Sequence, residues 1–135
     1  MEKTLIVLKP DAVERGLCGE ILARFEKRGF TIVALKSLVV SKDLAQEHYR
    51  DHAEKPFFPG LVDFITGAPS VAMVLEGQDA IALSRQMIGA TNPLSAETGT
   101  IRGDLTNDKQ FNLVHGSDSS EAATREIALW FPEVN

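Results

Sequence analysis

Apolar residues along this chain fall into two patterns: continuous runs that suit buried strands, and stripes at a period near 3.6 that suit helices. Residues 4–8 form an apolar run and predict a buried strand. It ends at a turn, Lys9-Pro10-Asp11, where Pro10 disfavours helical geometry at Lys9. Residues 16–19 read as a loop. From Glu20 the period becomes helical: Ile21, Leu22 and Phe25 share a face, with Glu20, Arg24, Lys27 and Arg28 elsewhere, until Gly29 stops the helix. Residues 30–40, rich in β-branched side chains, predict a long second strand. Ser41 is an N-cap for a short helix to about Tyr49, and Pro56 opens another over residues 57–66. In that helix Phe57, Phe58, Leu61, Val62, Phe64 and Ile65 exceed what one buried face needs.

Residues 70–75 predict a further buried strand, ending at Glu76-Gly77. Residues 79–88 are amphipathic, with Ala80, Ile81, Leu83, Ser84, Met87 and Ile88 toward the core, Arg85 beside that face and Gly89 as the stop. Periodicity then disappears over residues 90–111, and long irregular segments in compact domains are more often functional than idle. Leu113 and Val114 make a last short strand into His115, which is expected on a turn beside free backbone N–H groups. Gly116 is expected to leave room there for an anion. Asp118 and Glu121 have capping-box spacing ahead of a closing helix whose buried face carries Ala123, Ile127 and Trp130, with Glu126 beside it. The order of elements, with no internal repeat, predicts one domain over residues 1–135. Its fold class is α+β: a ferredoxin-like (split βαβ) sandwich with a four-stranded antiparallel sheet covered by helices.

Composition narrows the classes. The chain's 135 residues can bury a core without metal or disulfide support. A net charge of −5 argues against nucleic acid as a partner but leaves room for a local basic pocket. The single cysteine, Cys18, excludes an internal disulfide and suits a reducing cytosol. Residues 5–8 are too short an apolar stretch for a signal peptide or membrane span, so a cytoplasmic protein with no membrane partner is expected.

The familiar phosphate-loop, dinucleotide-turn, nucleophile-elbow and protein-kinase signatures are absent. What remains is a scatter of cations and polar groups: Lys9, Arg85, Thr91, Arg102, Asn112, His115, Ser117 and Glu126. Each alone has an ordinary structural role. Together, three cations and several hydrogen-bonding groups near a nucleophilic imidazole describe a polyphosphate site. His48 and His52 have the spacing of a helical metal pair, but Tyr49 stands between them and no third ligand suggests itself. They are therefore read as a surface or hydrogen-bonded pair.

Several segments carry a resemblance. They are Leu8-Lys9-Pro10-Asp11, Glu47-His48-Tyr49, Lys55-Pro56-Phe57-Phe58 with Gly60-Leu61, Gly89-Ala90-Thr91-Asn92-Pro93, Gly99-Thr100-Ile101-Arg102-Gly103-Asp104, Asn112-Leu113-Val114-His115-Gly116-Ser117-Asp118-Ser119 and Glu126-Ile127-Ala128-Leu129-Trp130-Phe131. In this order, over residues 4 to about 131, the chain resembles a nucleoside diphosphate kinase. The resemblance implies a Mg²⁺-dependent ping-pong transfer. His115 would take the γ-phosphoryl group of a nucleoside triphosphate, mainly ATP, at Nδ1 and pass it to a nucleoside diphosphate of almost any base or sugar. It further implies that Glu126 holds the other ring nitrogen, that Ser117 lies near the histidine, and that Tyr49 and Lys9 belong to the catalytic set. Lys9, Arg85, Arg102 and Thr91 would bind the phosphates, Lys9 and Asn112 the sugar, and Phe57 with Leu61 the base. Mg²⁺ would arrive on the nucleotide phosphates with no protein ligand, and the family assembles as tetramers, hexamers or occasional dimers.

The segment Lys109-Gln110-Phe111 departs from the small residues usual before the active-site strand, and the chain ends soon after Phe131. Three alternatives remain at this stage. A non-catalytic nucleotide-binding or interaction module on the same fold would lack His115, Lys9 or Arg102, and all are present. A histidine phosphatase usually places Arg before its nucleophile, where this chain has Val114. A phosphoserine at Ser117 is the third.

Overall fold

The computed structural model describes residues 1–134. Four strands, β1 (Glu2–Leu8), β2 (Thr31–Leu38), β3 (Ser70–Gly77) and β4 (Val114–Gly116), form one sheet in the order β2-β3-β1-β4, antiparallel throughout. The helices are α1 (Pro10–Glu14), α2 (Cys18–Arg28), α3 (Lys42–His48), α4 (Phe58–Thr66), α5 (Ala80–Ile88), α6 (Ile101–Leu105) and α7 (Ser120–Trp130). This is the ferredoxin-like sandwich, with α3 and α4 inserted between β2 and β3.

The alternation of side chains along a strand builds the core on both faces of the sheet. From β1, Ile6 and Leu8 pack with Met73, Leu75, Ile21 and Phe25 of α2, Ile88 of α5 and Ile101 of α6. Leu5 and Val7 point the other way, to Val74, Val62 and Ile65 of α4 and Trp130 and Phe131 at the end of α7. Residues 4–8 are therefore buried whichever way they point, and the run is continuously apolar because both faces are covered. Strand β2 lies at the sheet edge and is half-buried in alternation, with Val33 at its bulge, Leu35 within it and Val39 just past its end exposed.

Several local expectations are corrected. Lys9 is extended (φ −73°, ψ 167°), as its following proline requires, but it caps a one-turn helix and not a turn: Pro10, lacking an N–H and with its φ fixed, suits the first position of α1. Helix α2 starts at Cys18, so Gly19 lies in its first turn and not in a loop. Within residues 90–111, taken as irregular, Thr100 Oγ1 accepts from the Gly103 N–H and starts α6. Helix α7 is capped by Ser119, whose Oγ accepts from Ala122 N–H, and not by the Asp118–Glu121 spacing. Phe57 precedes α4 as its N-cap residue and is not in its first turn. Helix α3 ends at His48 and a 3₁₀ turn, Arg50–His52, follows, so His48 and His52 do not share a helical face. Among the described residues, no helix is long and apolar enough to cross a membrane.

Candidate active site

His115 sits inside β4, opposite Val7 of β1, and not on the turn beyond it. The strand lifts the imidazole to the sheet end where β1 delivers Lys9, while α7 runs back across it. From α7, Glu126 presents Oε1 at 2.9 Å from His115 Nε2, and Ser117 Oγ donates to the same oxygen at 2.7 Å. Ser117 Oγ in turn accepts from the Leu5 N–H at 3.2 Å. Glu126 belongs to the buried face of α7 and is only 5% exposed. Burial works to raise its pKa, but the hydrogen bond and charge of His115, with the Ser117 hydroxyl, outweigh burial and hold the carboxyl below its usual range. An ionised carboxylate only accepts, so His115 Nε2 is the donor, and in the neutral ring the lone pair lies on Nδ1.

Gly116 does not make room for a ligand. A Cβ there would meet Ile88 Cδ1 at 2.8 Å and Ile6 Cδ1 at 3.4 Å. The glycine lets β4 lie against α5, and this close approach brings the Arg85 guanidinium to the Gly116 carbonyl at 2.9 Å.

Two further cations meet over Asn112. Lys9 Nζ donates to Asn112 Oδ1 at 2.9 Å, and Arg102 Nη2 approaches the same oxygen at 3.4 Å. Arg102 is 9% exposed and spends its N–H groups on protein acceptors: Nε on the Asn112 carbonyl, Nη1 on the Gly89 carbonyl and Thr91 Oγ1, and Nη2 also on the Val114 carbonyl. It thereby ties the segment after α5 to the approach to β4. Burial, then the neighbouring Arg102 charge, push the Lys9 ammonium down to about 8, with Asp11 opposing. Burial and Arg85 push Arg102 down to about 10. Both depressions come first from burial and then from a neighbouring cation, and an incoming polyphosphate would offset both.

A cleft of about 240 Å³ opens at His115, lined by His48, Tyr49, Arg85, Arg125 and Glu126 among others. Burial, aided by Glu126, pushes the Tyr49 phenol up to about 12, so it remains a donor across the working pH range. A larger hollow of about 540 Å³, between α1, α6 and residues 106–111, contains none of the predicted site residues. Phe57 is 50% exposed at the start of α4, with Leu61 one turn on; the His52 ring lies 5.5 Å from it and Lys55 Nζ 5.7 Å. The structure thus groups His115, Glu126, Ser117, Arg85 and Tyr49 at one end, and Lys9, Asn112, Arg102 and Thr91 beside them. Phe57, at the N-cap of α4, and Leu61, within it, stand apart, exposed and half-buried.

The structure adds residues that the pattern did not single out as a site. His48 closes α3 against His115, with Trp130 behind it, and Arg125 reaches the cleft. The signal for Trp130 was weak: it fits an apolar stripe, and only the need of a buried indole N–H for a partner hints at more. Nitrogen and oxygen atoms of His48, His115 and Glu126 lie within 4.8 Å of one another, close enough to suggest a metal. Their chemistry argues otherwise. His48 Nδ1 accepts the Trp130 indole N–H at 3.1 Å, so a metal on Nε2 would force a proton onto Nδ1 against another donor. Mg²⁺ prefers oxygen ligands, so this largely nitrogen set does not fit it.

The family model for nucleoside diphosphate kinase matches residues 2–135. A nucleoside diphosphate kinase from Acaryochloris marina is 60% identical over 131 residues, covering 97% of this chain and 88% of that protein. Among solved structures, a nucleoside diphosphate kinase family protein from Babesia bovis superposes with a TM-score of 0.96 at 49% identity, covering 98% of this chain and 90% of the other. A halophilic nucleoside diphosphate kinase from Halobacterium salinarum, in complex with CDP, superposes with a TM-score of 0.93 at 51% identity, covering 96% and 87%.

Proposed function

The chain belongs to the nucleoside diphosphate kinase family, and from that premise we propose a ping-pong phosphoryl transfer through His115. One observation carries the residue assignment: the hydrogen bond from His115 Nε2 to Glu126 leaves the Nδ1 lone pair of the neutral ring free, in a cleft that Arg85 also lines. The Nδ1 lone pair attacks the γ-phosphorus of a nucleoside triphosphate, mainly ATP. The bond to the bridging oxygen breaks, and the nucleoside diphosphate leaves. The phosphoryl group then passes from Nδ1 to the terminal oxygen of a second nucleoside diphosphate. As the N–P bond forms, the ring gains positive character, and Glu126 balances it through Nε2–H. Ser117 holds Glu126 in place, and Tyr49 supplies a protonated hydroxyl to the cleft.

Lys9, Arg85 and Arg102, with Thr91, neutralise the phosphates, Arg102 exchanging part of its protein hydrogen bonding for phosphate oxygens. Asn112 and Lys9 serve the sugar hydroxyls, and Phe57 with Leu61 the base. Stacking is tolerant of base identity, which suits broad specificity, and the CDP complex of the Halobacterium relative supports a diphosphate as acceptor. Mg²⁺, carried by the phosphates, supplies charge neutralisation of the polyphosphate. We further propose a single domain over residues 1–135, cytoplasmic, acting as a homo-oligomer: a tetramer, a hexamer or, less favoured, a dimer. The open β2 edge with Val33, Leu35 and Val39 exposed supports a second copy as a partner.

The test is a chase. Protein labelled with γ-labelled ATP and Mg²⁺, isolated and mixed with GDP, is expected to carry acid-labile, alkali-stable label that moves to GTP. Label that persists in His115→Gln, or leaves only as free phosphate, overturns the assignment.

A further inference from the structure

His48 is a buried histidine to which the transfer reaction gives no part. It ends α3, is 7% exposed, and accepts the Trp130 indole N–H at Nδ1. An indole nitrogen only donates, so the neutral His48 ring carries its proton on Nε2 and has one tautomer. Its other neighbour is the nucleophile: the His48 and His115 rings meet at 80° with centroids 4.6 Å apart. Tyr49, 4.8 Å away, and Trp130, 5.4 Å away, also stand edge-on to His48 and complete an aromatic frame.

We propose that His48 is a positioning residue for the nucleophile, locked by Trp130 and holding the plane of the His115 ring so that Nδ1 faces the phosphoryl site. This rests on the transfer through His115 proposed above. A histidine χ2 has a broad energy well, and one hydrogen bond at Nε2 fixes the distance to Glu126 while tolerating rocking of the ring. A planar group packed at a right angle against the imidazole, and itself locked by the Trp130 N–H, removes that freedom. Neutrality matters as well. Burial and the adjacent His115 hold His48 down to about 3, with Arg125 and Lys9 adding to the effect and Glu126 opposing it. An uncharged neighbour leaves the electron density of Nδ1 available for attack.

The test compares wild type, His48→Phe and His48→Gln by rapid-quench phosphorylation with labelled ATP. Phe fills the space but cannot accept the Trp130 N–H; Gln can accept it through Oε1 and still offer an N–H. At saturating ATP, His48→Phe is expected to form phosphohistidine about tenfold or more slowly, with KM within about twofold, while His48→Gln stays within about threefold of wild type. Wild-type phosphorylation in His48→Phe, or equal losses in both variants, overturns the proposal. Should His48→Phe fail to fold, Trp130→Phe removes the locking N–H while keeping an aromatic ring in the core. ¹⁵N spectra are then expected to show mixed His48 tautomers and slower phosphorylation, and one unchanged tautomer with an unchanged rate overturns the proposal. If wild-type His115 takes no label, the transfer reading itself fails, while the His48 tautomer remains measurable in the same spectra.

Discussion

Lys9 shows how one residue's environment sets a measurable property. At the end of β1 it is pressed against Asn112 and Arg102, and its ammonium is pushed down to about 8 from the usual 10.5. In the role proposed for Lys9 the charged form meets phosphate, and it is lost as pH rises through about 8. For the free protein, kcat/KM is therefore expected to fall above pH 8. Under saturating nucleotide kcat falls less, since bound phosphates restore the proton's affinity. Lys9→Arg keeps its charge, so the alkaline limb should move out of range in pH–rate profiles; a limb unchanged in that variant would exclude Lys9 as its source. Lys9 was legible in the sequence as a cation at a strand end. Its neighbours were not, because Asn112 lies more than a hundred positions away and meets it only through the β1–β4 pairing.

At the scale of elements, α4 presents Leu61 and Phe64 on one face, one turn on from its N-cap residue Phe57. Phe64 packs on Phe111 with ring centroids 5.2 Å apart, fastening the segment before β4 to this helix. The unusual Lys109-Gln110-Phe111 therefore has a structural consequence: the segment carrying Asn112 is anchored by an aromatic contact, with the Asn112 side-chain amide donating to the Lys109 carbonyl at 3.0 Å. An aromatic pair of this kind contributes about 1 kcal/mol. Phe111→Ala is expected to raise KM for nucleoside diphosphates about fivefold, with phosphohistidine formation at saturating ATP unchanged. Steady-state kinetics with several bases would check this, and an unchanged KM would place the contact outside nucleotide binding.

For the whole molecule, β2 is the edge where the fold is open, and Leu35 is its most centrally placed exposed apolar side chain, at 51%. Leu35→Glu would put a charge on the face assigned to a second copy, so sedimentation velocity is expected to show smaller assemblies than wild type; an unchanged sedimentation coefficient would move the interface elsewhere. By itself the sequence determined the strands and principal helices, because burial on one or both faces imposes a period that local residues must obey. It also determined the residue types of the site and, through motif resemblance, the reaction. Short-range details escaped where one residue outweighs the period: Pro10 and Thr100 start helices too short to announce themselves, and Ser119 takes the cap of a helix that the period did announce. What only the tertiary structure decided is who faces whom: Arg102 among carbonyls, Gly116 against Ile88, and His48 between Trp130 and His115. The physical reason is that hydrogen-bond geometry and ring contacts depend on separations of a few ångströms between distant segments, and those separations exist only once the sheet and its two layers of helices have packed.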